Sequence, residues 1–89
     1  MKENILCIEA PLSLHAAEEL IQFWEGIFKT CYDQFRPILI QGEELGQNRN
    51  LVYILRDGPN IAGTCHMTIS QAQPQLAGLG EAATAPAHV

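Results

Sequence analysis

The sequence predicts an α+β domain in the order β-α-α-β-β-β, a mostly antiparallel sheet with helices packed on it. Three features lead there. A helix-period apolar stripe fills the first third, and two strand-like runs meet at Asp57-Gly58-Pro59-Asn60. A short apolar run opens the chain and another, looser one nears its end. With 89 residues, 1–89 reads as a single domain with a modest core.

Asn4 to Ala10 is short, apolar and bounded by Pro11, which predicts the first strand. Ser13 is the N-cap candidate for a helix from Leu14 to about Thr30, with Glu18 and Glu19 close behind it. Leu20, Trp24, Ile27, Phe28 and Cys31 would form its buried face, and Glu18, Gln22, Glu25 and Lys29 its wet one. Gly26 costs this helix about 1 kcal/mol relative to Ala, which hints at a close neighbour.

Pro37 forbids an uninterrupted helix through the next stretch. Ile38-Leu39-Ile40 reads either as a buried turn or as the start of a second helix, and Gln41 to Leu45 as a short helix ending near Gly46. Gln47 to Asn50 reads as loop. Leu51 to Leu55 and Ile61 to Ile69 then form an antiparallel hairpin about the Asp57–Asn60 turn. Leu76 to Thr84 is a last strand, loosened by Gly78 and Gly80.

Composition narrows the function classes. Five Lys+Arg against ten Asp+Glu give a formal charge of −5. That is too few cations for a phosphate-tracking stripe, so no nucleic-acid partner is expected, and anionic membranes are disfavoured on the same ground. No apolar run reaches the ~18–20 residues of a membrane span and no signal-peptide core opens the chain, so a soluble, cytoplasmic protein is expected. Cys7, Cys31 and Cys65 are odd in number and far apart, and read as three small buried thiols. No His/Asp/Glu set has metal-ligand spacing, and no Ser-His-Asp or phosphate-loop motif occurs, so no metal is expected. His66, within an apolar strand, reads first as a packed, hydrogen-bonded histidine; His15, in the first turn of a helix, has nothing nearby in sequence to activate it, and His88 lies at the extreme C-terminus.

Three stretches carry a family resemblance. Asp57, Gly58, Ile61, Ala62, Gly63 and Thr64 resemble the "dG-x-ivG" turn into the third strand of the GNAT superfamily of acetyl-CoA-dependent N-acetyltransferases. Glu81, Ala82, Thr84 and Pro86 fall on its "e-L-x-V-x-P-e-y" pattern, with Ala and Thr where the family has Leu and Val. Trp24 to Phe28 is compatible with the family's first helix. The chain stops at Val89, where the family's glycine-rich pyrophosphate loop would begin, so the resemblance covers the N-terminal half of that fold.

The resemblance implies acetyl transfer from acetyl-CoA to an amine acceptor. It makes Glu81 the general base, taking a proton from the amine or a relaying water. It makes Ala82, Ala83 and Thr84 the cofactor-binding segment, whose main-chain groups would pair with the pantetheine as if it were an added strand. The residues themselves leave alternatives. Gly80, Ala82, Ala83 and Ala85 are small enough for a cofactor to approach, or small enough to pack on a helix. Strand alternation would place Leu79, Glu81 and Ala83 on one face, making Glu81 a lone carboxylate among apolar neighbours; otherwise it is solvent-facing or salt-bridged. A second reading is a catalytically incomplete half-domain whose open last strand pairs with another copy, as a homodimer, or with a complementary C-terminal half. A third is an unrelated interaction domain. The GNAT readings require the helices between the first two strands to pack on the sheet that carries the hairpin.

Overall fold

The computed structural model describes residues 4–85. It is an α+β domain with strands β1 (Asn4–Glu9), β2 (Asn48–Asp57), β3 (Asn60–Ser70) and β4 (Ala77–Thr84) and helices α1 (Leu14–Phe28) and α2 (Phe35–Ile40). The strands lie in the order β1-β2-β3-β4, every neighbouring pair antiparallel. Cys7, Tyr53 and Cys65 are directly opposed across β1, β2 and β3, which sets the register of these three strands. Pro86 and His88, both named above, lie outside the described residues.

Both helices pack on the sheet that carries the hairpin. The Ser13 hydroxyl accepts from the Ala16 N–H at 3.2 Å, capping α1 as its sequence predicts. Ala17, Leu20, Ile21 and Trp24 recur on one face of α1 and are buried against Val52, Ile54 and Ile61 of the hairpin and Leu39 of α2. That stripe ends a turn earlier than predicted. Lys29 turns the chain in a left-handed conformation (φ 56°), and the Glu25 carboxylate accepts the Tyr32 N–H at 2.9 Å. Tyr32 thereby packs against Trp24, and Phe28 and Cys31 are left exposed. Gly26 has no close neighbour: a Cβ there would meet nothing within 4 Å.

Between the helices and β2 the sequence pattern misleads twice. Pro37 sits at the third residue of α2, where its missing N–H would have had no intrahelical partner, so the helix tolerates it. The short helix expected over 41–45 is absent. Gly42 takes a left-handed conformation (φ 68°) just past the end of α2 and breaks the helix, leaving turns that the Leu45 N–H to Gly42 O bond closes at 2.9 Å. β2 begins at Asn48, three residues before the predicted strand, because β3 is long enough to pair Asn48 to Asn50 with Ser70 to Thr68. The hairpin turn is as expected, with Gly58 at φ 62°.

Three arginines brace these layers: Arg36 to Glu18 of α1, Arg56 to Glu19 of α1, and Arg49 to Glu9 of β1, each with two nitrogens on one carboxylate. The guanidinium hydrogen bonds hold all three glutamates below the usual carboxylate range. The three thiols are not core residues. Cys7 and Cys31 are exposed and Cys65 is half-buried, because Cys7 and Cys65 fall on the sheet face that neither helix covers. Among the described residues, no helix is long and apolar enough to cross a membrane.

Candidate functional site

The geometry that matters centres on one irregularity in β4. Thr64 opposes Ala83 and His66 opposes Gly80, so Glu81 and Ala82 together face Cys65, a bulge of one extra residue. Glu81 itself lies in the left-handed region at φ 45°, a conformation that costs a non-glycine residue roughly 1–2 kcal/mol and clusters at functional sites. The Trp24 indole N–H donates to the Thr64 hydroxyl at 2.8 Å, and that hydroxyl donates to the Glu81 carbonyl at 2.9 Å, clamping the bulge from the core side.

The bulge overturns the expected alternation. Leu79, opposite Met67, points to the uncovered face and is 70% exposed, whereas Glu81 is carried round to the helix side. There it is not a lone carboxylate. Its Oε1 lies 3.0 Å from Nδ1 of His66, a residue only 7% exposed. The other ring nitrogen, Nε2, is 2.9 Å from Asn50 Oδ1, which also accepts from the Thr68 hydroxyl at 3.1 Å. Trp24 stacks on the imidazole at 6.1 Å between centroids, and Phe35 meets it edge-on at 5.9 Å. Asn50 Nδ2 donates in turn to Glu44 Oε1 at 3.3 Å.

These groups open on a cavity of ≈ 310 Å³ whose walls include Phe35, Ile38, Glu44, His66, Gly80 and Glu81. Among the described residues its lining holds two carboxylates and no lysine or arginine. Tyr32, packed on Trp24 and Phe35, has its phenol held above the ordinary range, first by burial and then by the negative charge of Glu81. His66 is therefore packed and hydrogen-bonded as its sequence context predicts, and His15 is exposed at the start of α1.

The predicted cofactor segment divides along its length. The Ala85 N–H donates to Ala62 O at 2.8 Å. Alternation along an antiparallel ladder then turns the Ala83 N–H toward β3 and the Thr84 N–H to the open edge of β4. Ala82 stays within the bulge. Gly63 leaves room for β4 here: a Cβ on it would sit 3.3 Å from the Ala83 carbonyl oxygen. Ala83 and Thr84 also border a hollow of ≈ 280 Å³ on the uncovered face, beside Tyr53 and Cys65. Ala85 borders a wider groove of ≈ 500 Å³ between α1 and the hairpin turn, where Gly26 forms part of the wall.

Glu25, Cys31 and Asp33 bring ligand-type atoms within 4.8 Å of one another, a grouping that their spacing did not suggest. The Glu25 carboxylate already accepts the Tyr32 N–H and Asp33 pairs with Arg36, so both acids serve the turn after α1. Sequence reasoning singled out Glu81 and weighed His66, but missed Glu44, Asn50 and Thr68. Polar residues in a strand of Asn48-Arg49-Asn50 were the available signal. No protein-family model, curated protein or solved structure matches the chain. What fold and site define is a small α+β domain with an acidic, histidine-backed cavity at a bulged sheet edge.

Proposed function

We propose that this chain is an acetyl-CoA-dependent N-acetyltransferase-type domain of GNAT ancestry, acting on an amine acceptor. The observation that carries the reading is the β4 bulge, which presents the Glu81 carboxylate to a cavity beside an open strand edge. Acetyl-CoA would supply an activated acetyl thioester. Thr84 offers it an outward N–H, with Ala82 and Ala83 small enough for close approach. A cavity whose described lining holds two carboxylates and no lysine or arginine suits an acceptor that arrives as an ammonium ion. Glu81 takes one proton from that ammonium; the freed amine attacks the thioester carbonyl, the C–N bond forms and the C–S bond breaks. The amine's second proton goes to the departing thiolate.

The test is calorimetric titration of acetyl-CoA, with CoA alongside, into the purified chain. Saturable binding that Thr84→Pro abolishes is expected, since Pro removes the outward N–H. Ala83→Pro is the poorer probe, because the Ala83 N–H faces β3 and its loss would damage the sheet. Absence of binding up to millimolar ligand overturns the reading.

A second reading is favoured by a separate observation. The sheet face opposite the helices carries Ile5, Tyr53, Leu55, Cys65, Met67 and Leu79, with Ile5 74% exposed, and β4 has an open edge. An apolar face beside an open edge suits a module that pairs with a second copy or with a complementary C-terminal half. Light scattering after size-exclusion chromatography separates the two readings: a monomer at micromolar concentration removes the self-pairing form, and a dimer that Leu79→Lys dissociates supports it.

A further inference from the structure

The geometry points to His66 as the positioning residue of Glu81, with its ring held in the Nε2-protonated form by an Asn50 amide that Glu44 in turn orients. The inference rests on the reading above only in giving Glu81 the role of a base; the Nε2–H lock stands on the hydrogen bonds alone.

The lock begins at Glu44. An ionised carboxylate only accepts hydrogen bonds. The side-chain amides of both Asn48 and Asn50 turn their NH2 groups toward Glu44 Oε1, at 3.4 Å and 3.3 Å. With Nδ2 committed there, the end of Asn50 that meets His66 is Oδ1, and the Thr68 hydroxyl donates to that same oxygen. An amide oxygen cannot donate, so His66 Nε2, 2.9 Å away, must carry the proton. The far side of the ring is then determined. Nδ1 and Glu81 Oε1 sit 3.0 Å apart, and two bare acceptors would repel at that distance, so one proton lies between them; with that proton on Nδ1 the pair is an imidazolium facing a carboxylate, and Glu81 stays able to accept a proton.

The consequence for the site is directional. Oε1 of Glu81 is held by His66, which leaves Oε2 to take a proton from an acceptor. A carboxylate on a strand with φ 45° would otherwise have several rotamers. Here the imidazole fixes it, and the imidazole is fixed by Trp24 from α1, Phe35 from α2 and Asn50 from β2. Four elements of the fold thus converge on the orientation of one carboxyl group, which is the preorganisation a proton-transfer group needs.

The experiment is nitrogen-detected NMR of the histidine rings in the full 15N-labelled chain at neutral pH, with two variants. In the unaltered protein His66 is expected in one form with Nε2 protonated. Glu44→Gln does not touch His66, but a Gln both donates and accepts, so the Asn50 amide is free to invert; a measurable population of His66 with unprotonated Nε2 should appear while the backbone amide spectrum of β2 to β4 stays in place. Glu81→Gln should leave Nε2 protonated, because the lock comes from the other side of the ring. The proposal is overturned by unprotonated Nε2 in the unaltered protein, by fully protonated Nε2 in Glu44→Gln, or by loss of the Nε2 proton in Glu81→Gln. Its failure is distinct from that of the transferase reading. Unprotonated Nε2 alongside saturable acetyl-CoA binding removes this inference alone; protonated Nε2 without acetyl-CoA binding removes only the transferase.

Discussion

On the helix side of the central strands, Val52, Ile54 and Thr64 are buried beneath Leu20, Ile21 and Trp24. On the opposite side the alternate residues Tyr53, Leu55 and Cys65 are as apolar, yet Tyr53 is 38% exposed and Cys65 half-buried. Strands that are apolar on both faces are of the kind found in sheets covered on both sides. The helix face also holds the polar machinery, since His66, Asn50 and Thr68 share it with the core and Glu81 is bent into it by the bulge. One face of the sheet is therefore finished and carries the candidate chemistry, and the other offers apolar surface to a second layer.

Truncations on the two faces should break this comparison most sharply if it is wrong. Trp24→Ala removes a fully buried ring and is expected to cost about 3–5 kcal/mol in denaturant unfolding. Tyr53→Ala, on the uncovered face, should cost under about 1 kcal/mol. Comparable losses would mean that a second layer covers Tyr53 in solution. Next in size is Thr64→Val, which strands the Trp24 indole N–H and leaves the Glu81 carbonyl without its donor; about 1–3 kcal/mol is expected. The backbone amides of the β4 bulge should shift in the same variant.

Gly26→Ala should act in the other direction. The added methyl meets open space beside the α1 groove, so unfolding should become harder by about 0.5–1 kcal/mol. A loss of stability would mean that something packs there in solution. The smallest effect concerns acid. Glu9, Glu18 and Glu19 have folded-state values depressed by their arginines. Their contribution is therefore present above the ordinary glutamate value of 4.5 and lost as the pH falls through the lower folded-state values. Glu19, partly buried between α1 and β2, should matter more than Glu9 on the uncovered face. Glu19→Gln should flatten the acid limb of a stability–pH curve more than Glu9→Gln does.

Local chemistry made much of the fold legible. Ser13 before an apolar stripe marks a cap, and Asp57-Gly58-Pro59-Asn60 marks a hairpin, because each signal depends only on neighbours in the chain. What escaped depends on distant partners. Nothing near Glu81 in sequence announces a left-handed residue; the Thr64 hydroxyl and the register of β3 impose it. The cluster of Glu44, Asn50, His66 and Glu81 needs three strands and a turn in register before its members meet, so only Glu81 and His66 could be weighed beforehand. The buried thiols were misplaced for a related reason. Cys7 and Cys65 do sit in apolar strands, but on the face without helices.

The most direct test of the account is a map of backbone amide shifts during titration of acetyl-CoA into the labelled chain. The account predicts shifts concentrated on Gly80 to Thr84, with His66 following and Cys7 at the far edge unmoved. Shifts centred instead on Tyr53 and Cys7, or none at millimolar ligand, would contradict it.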